Sequence, residues 1–197
     1  MSGPATFYIQ RRIGEELLTR GWHASAIATR DTPGSAWTLV DPSRRIRVQM
    51  SADFAAPCAT ITGTTMPGSP DTAPAWRTVF GLASSPTVVA AALAAVSTAA
   101  SRLGTVGDRR AIARALVSTG MHPDRSRVRQ AFTGRGNWHT GDGRASAAWN
   151  APRRLDDGGW RITAATLSLD ATLTTPAAVL IAALAASMPR NPEEPTS

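Results

Sequence analysis

Residues 11–23 of this chain read RRIGEELLTRGWH, and residues 110–122 read RAIARALVSTGMH. Placed 99 positions apart, the two stretches have identical or similar residues at most of their apolar, glycine and histidine positions. Each stretch carries apolar residues at helical spacing and then reaches a glycine, Gly21 or Gly120, the usual signal for the C-terminal end of a helix. We therefore expect two copies of one unit, opened by helices over residues 10–21 and 109–119.

The similarity between the two copies continues beyond the opening helix. A shift of 101 aligns Trp37 and Asp41 with Trp138 and Asp142, and Ile61-Thr62 with Ile162-Thr163; a shift of 90 aligns Ser85-Pro86 with Thr175-Pro176. The drop from 101 to 90 predicts an insertion of 11 residues in the first copy. The Pro/Gly-rich segment 66–74 has about the right length and is typical of a loop.

Between its helices each copy has short alternating or β-branched runs, which predict strands. In the first copy these runs are residues 25–30, 36–40, 45–50, 59–65 and 76–82, which we interpret as about four strands. Ser85-Pro86 and Thr175-Pro176 then place an N-cap residue before a proline at the first helical position. A closing helix is predicted to start at each of these pairs.

The predicted fold is α+β, with two tandem repeats of a four-stranded antiparallel sheet and flanking helices, packed as an intramolecular pseudo-dimer. Residues 1–101 form the first repeat, residues 102–188 the second, and residues 189–197 a flexible tail. Ser101–Asp108, which contains two glycines, is the expected linker.

Composition limits the classes of protein to which this chain can belong. An apolar content of 43% is enough for a packed core in 197 residues. Cys58 is the single cysteine, and residues 1–12 lack the apolar core of a signal peptide, so we expect a reducing, cytoplasmic location. Residues 78–101 carry no charge and are long enough to cross a bilayer. Gly81, Pro86 and the many Ser and Thr residues favour strand, cap and short helix there, so no membrane partner is predicted.

The charge of the chain favours an anionic partner. The net charge is +7, and all 21 basic residues are arginine. Residues 1–101 have 8 arginines against 6 acids, and residues 102–197 have 13 against 8, so the positive charge is concentrated on the second copy. The codon bias of a GC-rich genome is the alternative source of part of this arginine.

Strand alternation places part of this charge on one surface. In Arg45-Ile46-Arg47-Val48-Gln49-Met50 the apolar residues face one way and the polar residues the other. Guanidinium groups bind phosphate and stack on bases, and tryptophan offers a stacking platform. The residues predicted to contact DNA or RNA are Arg45, Arg47, Arg125, Arg127, Arg129, Arg135, Trp138, Arg144, Arg153 and Arg154. The competing interpretation is that the arginines only solvate an outer sheet face and that the tryptophans pack in the core.

Recognisable catalytic motifs are missing from the sequence. The chain has no Walker A loop, no G-x-S-x-G, H-E-x-x-H or C-x-x-C motif, and no lysine. His23 and His122 occupy matched positions after the opening helices, which favours a structural role at the helix end over a zinc site. His139, Asp142, Asp156 and Asp157 are the remaining candidates for acid–base chemistry. We expect a protein that is not an enzyme and uses no metal or cofactor.

The order of features from Trp37 to Val96 resembles a known family. It runs through Asp41-Pro42, an arginine-bearing strand, Ile61-Thr62, Trp76, Phe80 and Ser85-Pro86 before an Ala/Val helix. This order resembles the actinobacterial SPDY domain of unknown function, which often occurs as a tandem pair. Asp41-Pro42-Ser43 stands where the family has Ser-Pro-Asp. The repeated plan also resembles the PUR and Whirly architectures, and this resemblance implies single-stranded nucleic-acid binding on a sheet.

Two functional hypotheses follow from the sequence. The first is a non-enzymatic, sequence-tolerant nucleic-acid-binding protein that contacts the phosphate backbone of DNA or RNA. The second is a protein-interaction or assembly module, in which a sheet face or strand edge recruits another chain. Both hypotheses leave homo-oligomer formation open.

Overall fold

The computed structural model describes residues 3–25, 35–51, 58–64, 74–81, 84–98, 106–124, 135–150 and 159–188. Within these ranges the chain forms four helices, α1 (Gly3–Thr19), α2 (Ser85–Thr98), α3 (Val106–Ser118) and α4 (Ala177–Ser187). The strands in the first half are β1 (His23–Ala24), β2 (Ser35–Val40), β3 (Ile46–Ser51), β4 (Cys58–Gly63) and β5 (Trp76–Gly81). Those in the second half are β6 (His122–Pro123), β7 (Arg135–His139), β8 (Ser146–Asn150), β9 (Gly159–Ala164) and β10 (Leu167–Thr172).

The ten strands of the described ranges form one antiparallel sheet, in the order β1-β2-β3-β4-β5-β10-β9-β8-β7-β6. Each half contributes five consecutive strands, and β5 pairs with β10 at the centre. The predicted α+β class with antiparallel strands is confirmed, but the prediction of four-stranded repeats is wrong. A two-residue strand, β1 or β6, is the fifth member of each half. Pairing β5 with β10 removes two inner edges that separate sheets would leave with unpaired backbone groups.

The opening helices end in the same way in both halves. In α1 the Trp22 N–H donates to the Leu17 carbonyl over 3.2 Å, and in α3 the Met121 N–H donates to the Leu116 carbonyl over 3.1 Å. Gly21 and Gly120, with φ of 83° and 82°, provide the left-handed turn that these bonds require. The helix ends are therefore predicted correctly. The starts lie further upstream, at residues 3 and 106, so α3 begins inside the predicted linker.

The helices form a single layer on one face of the sheet. Helix α2 packs against α4 at the centre, with α1 beside α2 and α3 beside α4. Strand β3 shows the resulting alternation, because Ile46, Val48 and Met50 are at most 1% exposed, whereas its intervening residues are half-buried. This confirms the alternation predicted for residues 45–50. We call the sheet surface opposite the helices the open face.

Strand register relates the two halves and corrects the alignment made from sequence. His23 pairs with Val40, and His122 pairs with His139, at a shift of 99. The turns that follow obey the same shift, because the N–H groups of Asp41 and Thr140 donate to the carbonyls of Ile46 and Ala145. The predicted alignment of Trp37 and Asp41 with Trp138 and Asp142 is therefore wrong by two positions. The two hairpins have the same length, and the change of shift from 99 to 101 falls between β8 and β9.

Beyond the first hairpin of each half, the shift of 101 predicted from sequence is correct. Ile61 pairs with Val48 in the first half, and Ile162 pairs with Ala147 in the second. The predicted 66–74 insertion lies almost entirely outside the described residues.

Threonines join the two halves beneath the central strands. Thr78 of β5 is fully buried, and its Oγ1 donates to Thr175 Oγ1 over 3.3 Å. Thr175 Oγ1 donates in turn to the Arg77 carbonyl over 3.2 Å. Thr175 is therefore not the predicted N-cap of α4, since Pro176 occupies that position without a side-chain cap bond. Helix α2 begins at Ser85 as predicted.

Among the described helices, none is long and apolar enough to cross a membrane.

Candidate nucleic-acid interface

Antiparallel register arranges the side chains of the open face in transverse rows that run perpendicular to the strands. One row crosses seven strands from β3 to β7, and we call it the arginine row. Its positions are Arg47, Thr62, Arg77, Thr172, Gly159, Asn150 and Arg135. Arg47 pairs with Thr62, which pairs with Arg77, and on the far side Gly159 pairs with both Thr172 and Asn150.

Two arginines of this row have guanidinium groups with no hydrogen-bond or ion-pair partner among the described residues. Arg47 is half-buried on β3, and Arg77 is exposed on β5. They lie two strands apart, or about 10 Å at the usual inter-strand spacing. No described side chain therefore competes with an anion that approaches these donors from the open face.

The neighbouring central row carries an ion pair at the centre of the sheet. Its positions are Thr38, Gln49, Thr60, Val79, Asp170, Arg161, Ala148 and Asn137. Asp170 accepts a hydrogen bond from Arg161 Nε over 2.6 Å. This bond raises the pKa of the Arg161 guanidinium above its ordinary value. Both side chains are more than half exposed, so the pair contributes little to stability.

The third row of the open face contains the residues of each half that correspond to arginine-row residues of the other half. We call it the neutral row, and its positions are Ser51, Cys58, Gly81, Ser168, Thr163, Ser146 and His139. Arg47 corresponds to Ser146 at the shift of 99. Arg77 corresponds to Ser168. Arg77 precedes Thr78, which pairs with Ile61, and Ser168 precedes Leu169, which pairs with Ile162. The neutral row contains no arginine, lysine or carboxylate. Among the described strand positions, basic residues therefore occupy the arginine row and not the neutral row.

The structure brings only part of the predicted site together. Arg47 and Arg135 occupy the two ends of the arginine row. Arg45 lies in the turn before β3, half-buried, with its backbone N–H donating to the Asp41 carboxylate. Arg144 is exposed in the turn before β8 and therefore lies outside the row. Its Nε is 3.5 Å from Asp142 Oδ2. The remaining predicted arginines, Arg125, Arg127, Arg129, Arg153 and Arg154, lie outside the described residues.

Trp138 is on the wrong face for the predicted stacking role. It is 6% exposed in the helix-side core, and its ring centroid lies 5.4 Å from that of Trp160. Trp149 joins this cluster, and the Arg109 guanidinium of α3 lies 4.3 Å from the centroid of the Trp149 ring. The competing interpretation, in which these tryptophans pack in the core, is the correct one for all three.

Arg77 is absent from the site predicted from sequence, although its alternation with Trp76 and Thr78 already indicated the outward face. The available signal was the period-two pattern of residues 76–80. The sequence does not show the strand register that places Arg77 in line with Arg47, because this register depends on pairing between distant strands.

The histidines lie on strands and not at helix ends. His23 and His122 are exposed on β1 and β6, and His122 pairs directly with His139. No group of three or more metal-ligating side chains occurs within the described ranges. Asp142 accepts hydrogen bonds from Thr140 Oγ1 and the Arg144 N–H, while the other acid–base candidates, Asp156 and Asp157, lie outside the described residues.

No protein-family model, curated protein or solved structure matches this chain.

Proposed function

We propose that the protein binds nucleic acid on the open face of its sheet, with the phosphate backbone running along the arginine row. The observation that carries the proposal is the alignment of Arg47 and Arg77 on one row, while the corresponding neutral row carries no arginine. A solvating surface needs no such alignment. A strand of nucleic acid needs donors at successive points along its length.

The residues between the arginines suit this role. Thr62 and Asn150 offer neutral hydrogen-bond donors and acceptors along the same row. Arginine binds phosphate through two parallel N–H bonds and stacks on bases, so it serves both parts of a nucleotide. Binding of this kind depends on charge and groove shape and tolerates different sequences.

The edges of the sheet argue against the alternative in which a partner adds a strand. Both outer strands, β1 and β6, are only two residues long, and Pro123 of β6 has no backbone N–H to donate. Short, proline-bearing edges are a common protection against strand addition. The open face is thus a better candidate than the edges for contact with another molecule.

A direct test is a low-salt fluorescence-anisotropy titration of the full chain with labelled single-stranded and duplex oligonucleotides. We expect saturable binding to at least one of them, and a loss of affinity of about tenfold or more in the double variant R47A/R77A. Arg12 and Arg110 are exposed on α1 and α3, in the helix layer, and R12A/R110A removes the same charge from there. That control is expected to bind within about twofold of the wild type. Absence of binding to either oligonucleotide, or equal losses in the two double variants, contradicts the proposal.

A further inference from the structure

A depression of about 320 Å³ lies on the open face where the arginine row and the central row cross from the first half into the second. Its floor is formed at Gly159 of β9 and Ala148 of β8, which have little or no side chain. Arg77, Asn150, Arg161 and Asp170 surround this floor. The volume is at the lower end of the range for small-molecule sites, which starts at about 300 Å³.

The small residues of the floor have larger counterparts in the first half. The positions that correspond to Ala148 and Gly159 in the first half are Gln49, at the shift of 99, and Cys58, at the shift of 101. Both carry longer side chains, and both are half-buried on the open face. The small floor residues are therefore a feature of the second half and not a general property of the fold.

Gly159 is fixed by the backbone around it. A Cβ atom at this position would lie 1.9 Å from the Ala171 carbonyl oxygen of the neighbouring strand, so no other residue fits without a shift of the main chain. The close pairing of β9 with β10 thus keeps this part of the floor free of a side chain.

The groups around the floor combine positive charge with mixed hydrogen-bonding capacity. Arg77 offers charged donors that have no partner among the described residues, and Arg161 offers further donors beside Asp170. Asp170 accepts hydrogen bonds, and the exposed amide of Asn150 both donates and accepts. A phosphate matches the arginines, and the polar edge of a base matches the amide and the carboxylate.

We infer that this depression holds one unpaired nucleotide of a bound strand, with its base over Ala148 and Gly159 and its phosphate on Arg77. The inference rests on the proposed function and adds to it a defined base site. A base that lies against the sheet presents its hydrogen-bonding edge to Asn150 and Asp170, so it cannot pair with another strand at the same time. The strand therefore gains affinity from the base at this point in addition to its phosphate contacts.

The test compares two single-stranded oligonucleotides of equal length, one with normal bases and one with abasic residues throughout, by fluorescence anisotropy. The wild type is expected to bind the base-containing strand about tenfold more tightly, the scale of one good base contact. Ala148→Gln gives the second half the residue that fills the corresponding position of the first half, and it is expected to abolish this preference by lowering affinity for the base-containing strand. Gln49→Ala, on the other half, is the matched control and is expected to keep the preference.

The outcomes separate the base site from the proposed function. If Ala148→Gln keeps the full preference, or if the wild type binds both strands equally, the base site is wrong although nucleic-acid binding stands. If neither strand binds, both proposals fail. Thermal unfolding establishes whether Ala148→Gln is folded; if it is not, Asn150→Ala replaces it, and the base site predicts the same loss of preference in that variant.

Discussion

Arg77 and Thr172 meet at the centre of the sheet, where the backbone N–H of Arg77 donates a hydrogen bond to Thr172 Oγ1 over 2.9 Å. One residue belongs to the first half of the chain and the other to the second. The same contact joins the halves and places Arg77 in line with Thr172, Gly159 and Asn150. The arginine row thus depends on the pairing of β5 with β10, and neither half contains it alone.

Replacement of Thr175 by valine tests the buried threonine junction. The variant removes the donor to the Arg77 carbonyl and the acceptor for Thr78 Oγ1, and we expect the free energy of unfolding to fall by about 1–3 kcal/mol. Thr163→Val, at an exposed position of the neutral row, is the control and is expected to change the free energy of unfolding by less than about 0.5 kcal/mol. Urea denaturation gives both values. In the double variant T78V/T175V, the two losses should not add, because each removes one side of the same bond.

Gly159→Ala tests the close approach of β9 to β10. Because the new Cβ would lie 1.9 Å from the Ala171 carbonyl oxygen, we expect a loss of roughly 3 kcal/mol or more, or failure to fold. Gly141→Ala is the matched control, since nothing lies within 4 Å of a Cβ at that turn position. The midpoints of thermal unfolding of the two variants should differ widely. Equal midpoints would show that β9 and β10 are not paired as described.

The pH dependence of stability has one identified contribution at the β7–β8 turn. The hydrogen bond from Thr140 Oγ1, followed by that from the Arg144 N–H, lowers the pKa of Asp142 below its ordinary value of 3.8. A carboxylate with a lowered pKa in the folded state stabilises the fold above its unfolded pKa, and this contribution is lost as the pH falls through the folded pKa. Asp142→Asn should therefore be less stable than the wild type at about pH 6, and the difference should shrink as the pH falls below 3.8.

Two variants at Thr140 serve as controls for this pH effect. Thr140→Ser keeps the hydroxyl that donates to Asp142 and should preserve the pH-dependent difference, whereas Thr140→Val should reduce it. Urea denaturation over the acid range measures the effect. A difference between the wild type and Asp142→Asn that does not change with pH would contradict the assignment.

Trp138→Phe tests whether this tryptophan belongs to the core. Its ring is buried against Trp160, so we expect a stability loss of about 1–3 kcal/mol. Affinity for an oligonucleotide should stay within about twofold of the wild type, because the ring does not reach the open face. A large loss of affinity in a variant of normal stability would restore the stacking role predicted from sequence.

Local patterns predicted much of the secondary structure. Gly21 and Gly120 mark the ends of α1 and α3 because their left-handed conformation favours glycine, and a sequence shows this directly. Alternation in β3 identifies the buried residues because one face of that strand is strictly apolar. These features depend on neighbours within a few residues, so the local sequence is enough to predict them.

The number of strands per half and the composition of the site depend on pairing between distant segments. Trp138 is an exception, because the polar residues of Arg135-Gly136-Asn137-Trp138-His139 alternate with Gly136 and Trp138 and so already indicate that Trp138 faces the core. The strand β1 is too short to give a periodic signal. Arg47 and Arg77 are 30 positions apart in the chain and become neighbours on the arginine row only through the register of β4. Register of this kind is a property of the assembled sheet.

The salt dependence of affinity decides whether nucleic acid binds along the arginine row. For the wild type, R47A/R77A and the helix-layer control R12A/R110A, the logarithm of the binding constant is measured against the logarithm of salt concentration. Removing two phosphate contacts should reduce the magnitude of the slope by about 1.4 to 1.8 in R47A/R77A, while R12A/R110A keeps the slope of the wild type. Equal slopes for R47A/R77A and the wild type, or the same reduction in both variants, would contradict the claim.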